Sequence, residues 1–282
     1  SAGVQRWLCH FGVDTVYPYR ETSRRIKRLP REKRKRRINT ATKFFAKLNG
    51  KLAMDNSIEN WHSAFVSSNG INIHYYRNQA QSLANRSKLK PTILFIHGFS
   101  DNGLCWSRVA RELEEEYDLL LLDSRGHGQS DKPSNGYTTE NNAADVASVI
   151  QSLQLGKVLI AGHSIGATTA TAIAAHYPEL IAAVVLEDPI WRAQDDPSNQ
   201  LTADQRSAMA ANVRKQLEQQ QLMSALQIQE KGQESCPEWH IDEFPAWVQA
   251  KQQVSPNVAD SLLSHSNNWP DRFLLRIYHT HW

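Results

Sequence analysis

The chain has 282 residues, 40% of them apolar and 22% charged, with a formal net charge of +3. That length accommodates one large α/β domain or two small ones, and the apolar content suffices for a globular core. No run of about 18 apolar residues occurs, which excludes a transmembrane helix, and no apolar signal-peptide core stands near the N-terminus.

The small net charge conceals a split. Residues 1–53 carry 15 Lys/Arg against 3 Asp/Glu, a charge of +12, which leaves −9 on the remainder. The run Arg24 to Arg37 is dense enough in like charge to repel itself and stay solvated. We read 1–53 as a disordered or non-native extension, with Met54 a natural start. A native basic arm for nucleic acid, a nuclear address or an Arg-rich transit peptide are the alternatives. The acidic remainder argues against a broad nucleic-acid face, so nucleic acid is a partner only if 24–37 is native. Cys9, Cys105 and Cys236 are far apart and odd in number, which points to a reducing, cytoplasmic compartment without a disulfide framework. No cluster has metal-ligand spacing, and neither a metal nor an organic cofactor is expected.

The folded pattern begins near Trp61. Ser63–Val66 and Ile71–Arg77 alternate and flank Ser68-Asn69-Gly70, a hairpin signal. His74 falls among apolar neighbours as a sheet-face residue. Residues 79–90 form a polar loop. Pro91–Ile96 is a continuous apolar run, a buried strand, and a helix is expected over about 104–116 with its acidic face in water. Asp118–Asp123 is the next buried strand, and it feeds the glycine-rich loop Arg125-Gly126-His127-Gly128-Gln129-Ser130. A helix over about 140–153 precedes the strand Lys157–Ala161, and Ala182–Leu186 is the strand after that. Helices alternating with continuous apolar strands imply a mostly parallel sheet covered on both faces. From Ile190 to about Trp269 the pattern turns polar, Gln-rich and helical, nearly uninterrupted over Ala203–Gln229 and punctuated by Trp191, Trp239, Trp247 and Trp269.

The chemistry concentrates at Gly162-His163-Ser164-Ile165-Gly166, directly after a buried strand and before the small-residue segment Ala167–Ala175. A strand, G-x-S-x-G and a helix form a nucleophile elbow, a turn so sharp that its serine is strained and no side chain fits beside it. Acyl transfer through Ser164 makes an oxyanion that needs two N–H donors. Ile165 supplies one, and Phe99, in the loop His97-Gly98-Phe99 after an earlier strand, the other. His97 shapes that loop by hydrogen bonding. His163, Trp106 and Trp191 are candidate substrate-pocket residues.

These residues carry a resemblance. His97-Gly98-Phe99, then Asp123 to Ser130, then Gly162 to Gly166, then Leu186-Glu187-Asp188-Pro189 resemble the α/β-hydrolase superfamily in its serine-nucleophile, esterase-like branch. The match is specific over about 61–191. It implies a hydrolase core over 54–190, a helical cap over 191–270 and the start of a C-terminal core over 271–282. In that family the loop around His127 is structural. The acid and the catalytic His follow the seventh and eighth strands, which the resemblance places beyond Trp282, so a C-terminally truncated copy is expected. Asp188 is an alternative acid, Glu187 a weaker one, and His265, His279 and His281 are the late histidines. The implied activity is hydrolysis of a small carboxylic ester, thioester or lactone through an acyl-enzyme, with no membrane partner. A catalytically inactive binding protein on the same scaffold, or a non-hydrolytic lyase or cofactor-free haloperoxidase, are the alternatives.

Overall fold

The computed structural model describes residues 58, 60–78, 90–190 and 201–263. The basic run, Trp191, Trp269 and the three late histidines lie outside them. Six strands form one sheet: β1 (His62–Ser68), β2 (Ile71–Arg77), β3 (Thr92–Ile96), β4 (Asp118–Leu122), β5 (Val158–His163) and β6 (Ile181–Glu187). Their spatial order is β1-β2-β4-β3-β5-β6. β1 and β2 are antiparallel, β2 meets β4 antiparallel, and β4, β3, β5 and β6 run parallel. The hairpin turns at Asn69 and Gly70, with φ of 50° and 81°. Both central residues are left-handed, the geometry that matches strand twist.

The central strands are apolar along their whole length because both faces are covered. On one face Leu94, Ile96, Leu120, Leu122 and Ile160 pack with Val146 and Ile150 of α2 (Thr139–Ser152) and Ala170 and Ile173 of α3 (Ile165–His176). On the other, Phe95 meets the Trp106 ring at 5.1 Å between centroids. Each fully buried Leu or Ile contributes about 1.5–3 kcal/mol by leaving water.

The expected helix over 104–116 is shorter than its sequence suggests. A 3-10 turn, Gly103–Trp106, leads into α1 (Ser107–Arg111), and turns follow. Glu112, Glu115 and Glu116 would stack like charges three and four residues apart in a longer helix, which opposes extension. The expected single stretch Ala203–Gln229 is two helices, α4 (Ala203–Gln221) and α5 (Ala225–Ser235). Ser224 and Gln227 cap each other's backbone in a reciprocal box that restarts the helix. α6 (Phe244–Gln253) and a 3-10 segment, Pro256–Leu262, complete the described chain. Trp247 meets Trp239 and Phe244 edge to face within this helical segment, and Trp239 and Phe244 pack at a tilt of 41°.

A buried ion pair ties the hairpin to the glycine-rich loop. Arg125 Nε donates to Asp145 Oδ2 at 2.7 Å, and Ser68 Oγ and Asn69 Nδ2 donate to Asp145 Oδ1, both at 3.2 Å. Removing one partner strands the other charge in the interior. Asp145→Ala is expected to cost about 3–5 kcal/mol in urea unfolding. A loss under about 1 kcal/mol would show that Arg125 finds another acceptor.

Candidate active site

Ser164 sits between β5 and α3 with φ 53° and ψ −115°. A non-glycine residue there is strained by about 1–3 kcal/mol and needs a surrounding structure that holds it. Ser164 N–H donates to the Glu187 carbonyl at 2.9 Å, and the Ser164 carbonyl accepts from the N–H groups of Ala167 and Thr168. A Cβ on Gly162 would stand 2.4 Å from the Gly166 carbonyl oxygen, and one on Gly166 would stand 2.3 Å from that of Ile96. Both positions therefore require glycine, and together they let α3 start against the ends of β3 and β5. Ile165 is the first residue of α3, where backbone N–H groups lack helical acceptors.

The loop after β3 is held from three sides. His97 Nδ1 donates to the Gly98 carbonyl at 2.8 Å, and its Nε2 accepts from Ser124 N–H at 3.0 Å. Those two bonds define a neutral imidazole, and burial lowers its pKa further. Lys251 of α6 enters from the helical segment. Its Nζ donates to the Ser100 carbonyl (3.2 Å), Ser100 Oγ (2.8 Å) and Asp101 Oδ1 (2.9 Å), and it is almost fully buried. Nothing in the local sequence marks Lys251, whose partners lie 150 residues away. The third support is Asp123, whose Oδ1 accepts from Gly103 N–H at 2.7 Å.

Phe99, Tyr137, Leu217, Val254 and Val258 form an apolar cluster with Ile165 packed on it. The helical segment thus covers the turn from above. Beneath it lies a small cavity of about 20 Å³, walled by Phe99, Ile165, His127, Tyr137, Thr169 and Val258 among others. His127 Nδ1 donates to the Arg125 carbonyl at 2.9 Å, so Nε2 carries a lone pair; that atom is buried without a hydrogen-bond partner.

Phe99 and Ile165, the expected oxyanion donors, meet at this cavity. His163 is elsewhere. Its ring lies over Gly98, where a Cβ would come within 2.6 Å of Nδ1, and Nδ1 is 4.0 Å from Asp101 Oδ2. Trp106 packs on Phe95 and is not in the cavity wall. Asp188 follows β6 with φ 45°. Desolvation first, and the Asp188 charge second, push the neighbouring Glu187 carboxyl up to about 7. No group of three or more His, Cys, Asp or Glu among the described residues could hold a metal ion, and no described helix is long and apolar enough to cross a membrane.

A mostly parallel sheet with helices on it and a strained serine on a strand–helix turn defines an α/β protein of the layered, helix-covered class. The model of the alpha/beta hydrolase fold family matches residues 91–270, and the chain belongs to that family. Its relatives include 2-(acetamidomethylene)succinate hydrolase of Mesorhizobium japonicum, 38% identical over 35% of this chain and 35% of that one. Epoxide hydrolase 4 of Mus musculus is 32% identical over 43% of this chain and 32% of its own. The matched stretches thus span about a third of the length of these curated relatives. Among solved structures, E-2-(acetamidomethylene)succinate hydrolase superposes with a TM-score of 0.56 at 22% identity, over 72% of this chain and 74% of that one. A thermophilic esterase from Thermogutta terrifontis gives 0.54 at 22% identity, over 72% and 71%. At that identity the likeness is one of fold.

Burial, and then the neighbouring His97, lower the His127 pKa from 6.5 to about 3. The unfolded chain takes up that proton between those values and the folded chain does not. Stability is therefore unaffected by this group above pH 6.5 and falls below it, by roughly 1.4 kcal/mol per pH unit until about pH 3. His127→Asn is expected to give a shallower acid limb in urea unfolding measured from pH 7 to 4. Parallel curves would show that the folded protein protonates His127.

Proposed function

We propose that the protein is a serine hydrolase acting on small carboxylic esters, thioesters or lactones. Ser164 Oγ attacks the acyl carbon, the N–H groups of Ile165 and Phe99 hold the oxyanion, and the segment 201–263 acts as a cap that excludes water. The observation that carries this reading is the left-handed backbone of Ser164, stored at the first turn of a helix between two obligatory glycines. Strain at such a position is retained where it aims a reacting group. A hydroxyl in place of a carboxylate at the turn favours acyl chemistry over the epoxide opening named for some relatives. His97 and His127 each donate through Nδ1 to a backbone carbonyl and belong to the loops. The general base in this reading is the late histidine that the family resemblance places after the eighth strand. Cys105 and Cys236 are thiols and not half-cystines, which is consistent with a cytoplasmic setting.

A second reading, non-hydrolytic carbon–carbon chemistry, has one supporting observation. A relative at 35% identity is named a putative 2-succinyl-6-hydroxy-2,4-cyclohexadiene-1-carboxylate synthase, from Bacillus subtilis.

The test uses p-nitrophenyl acetate, a short acyl thioester and a γ-lactone with the full chain. Ser164→Ala is expected to lose at least about a thousandfold in kcat/KM on whichever of them is turned over. A fluorophosphonate probe should label Ser164 in the unmodified chain. No turnover together with an unlabelled Ser164 would favour the inactive-scaffold reading.

A further inference from the structure

A second serine, far from the elbow in sequence, has the partners of an activated nucleophile. Ser63 Oγ and His74 Nε2 are 2.8 Å apart, and His74 Nδ1 and Asp123 Oδ2 are 2.8 Å apart. Ser63 and His74 come from β1 and β2, adjacent strands of one sheet, and Asp123 directly follows β4, the next strand. Two strands and the first residue beyond a third therefore fix the chain of contacts.

The polarity of the chain follows from its buried end. The Asp123 carboxyl also accepts from Gly103 N–H at 2.7 Å and Gln129 N–H at 2.9 Å. Burial works to raise its pKa, but the His74, Gln129 and Gly103 hydrogen bonds outweigh burial and hold it below the ordinary carboxylate value. An ionised carboxylate only accepts, so His74 Nδ1 donates to it. In the neutral imidazole Nε2 is then a lone pair, and the Ser63 hydroxyl donates into it. His74 and Asp123 are fully buried, whereas Ser63 is exposed. Phe65, 54% exposed, stands two residues along on the same face and meets the His74 ring edge-on at 4.9 Å. A triad is recognised by geometry and roles, not by its place in a sequence.

We propose that Ser63, with His74 and Asp123, is a second acylatable serine that accepts small activated acyl or phosphonyl groups at the outer strand. In acylation, Ser63 Oγ forms a bond to the carbonyl carbon and passes its proton to His74 Nε2. The ester C–O bond breaks, and the departing alcohol oxygen takes that proton. Asp123 stays ionised and steadies the imidazolium. Phe65 offers an apolar platform, so aromatic leaving or acyl groups are favoured.

Ser67 is the internal control. It is exposed on the same strand, and none of its described contacts is with a histidine. The full-length Ser164→Ala variant is treated with a fluorophosphonate probe, and the modified serines are located by peptide mass spectrometry. Phosphonylation forms the Oγ–P bond, breaks P–F and releases fluoride, with the proton leaving through His74. Labelling of Ser63 is expected to run about a hundredfold faster than that of Ser67, the scale of general-base assistance, and to fall to the Ser67 rate in Ser164→Ala/His74→Gln. Equal rates at Ser63 and Ser67, or no label at Ser63, would overturn the proposal. His74 is buried, so its variant is checked by circular dichroism. If it fails to fold, Ser63→Cys and Ser67→Cys replace it, each in Ser164→Ala. Faster alkylation of the Ser63→Cys thiol by iodoacetamide supports the proposal, and equal alkylation overturns it. Labelling of Ser164 is read separately in the unmodified chain, so failure at one serine does not decide the other.

Discussion

The close approach of α3 to the ends of β3 and β5 is the constraint on which the rest of the site depends. Gly166 leaves no room for a methyl group against the Ile96 and His97 carbonyls, and Gly162 none against Gly166. Any side chain at either place would lift the helix from the sheet. With both absent, the first turn of α3 descends until Ser164 has only a left-handed backbone to occupy. The small residues that follow serve the same end: Ala167 and Ala170 are completely buried and keep the helix tight on the strands below. The serine's strain, the placement of Ile165 N–H and the seating of the apolar cluster over it all follow from that single contact.

Asp123 is its electrostatic counterpart. One carboxylate accepts from the turn after β3, from the glycine-rich loop and from a histidine of β2. The loop has to pass directly over it: a Cβ on Gly128 would lie 2.2 Å from the carboxyl, and Gly128 has φ 48°. Ser130 closes the arrangement, donating to the Asp123 carbonyl while accepting from His74 N–H. The same charge therefore braces the loop that carries Phe99 and polarises His74 toward the outer strand. A buried, ionised group that accepts three hydrogen bonds from three different segments is held where it stands, and it transmits order to everything bonded to it.

The strands and the elbow were legible because doubly covered parallel strands write themselves as unbroken apolar runs, as in Thr92–Ile96 and Asp118–Leu122. The helices were legible in type and less so in extent. The break at Ser224 was encoded by a capping pair with Gln227, but inside a Gln-rich stretch that pair is one polar spacing among many. The acidic end of the 104–116 segment has the pattern of a solvent face, although its like charges oppose helix. His74 shows the limit most clearly. Alternation assigned it to a face of the sheet, and it is on one. Its role is set by Ser63 eleven residues before it and Asp123 forty-nine after it, pairings that depend on strand order and not on local pattern. Lys251 was invisible for the same reason.

Lys251 also explains how a polar helical segment can sit over an apolar turn. A lone ammonium in that position would carry a penalty of several kcal/mol, and attraction to Asp101 alone would roughly offset it. The structure spends all three N–H donors on two adjacent residues, Ser100 and Asp101, with the Trp247 ring 4.9 Å away on α6 itself. Ser100 is left-handed, with φ 60°. The cation therefore stabilises a bend that would otherwise be unfavourable, and that bend immediately follows Phe99. Such a contact adds less to stability than to register, because only one position of α6 satisfies it. Asn102 and Gln253, hydrogen-bonded at 3.1 Å, repeat the link one step further along both segments. Lifting the helical segment would withdraw the ammonium from Ser100 and leave the buried Asp101 carboxylate without it, so the position of α6 and the shape of the Phe99 loop are coupled.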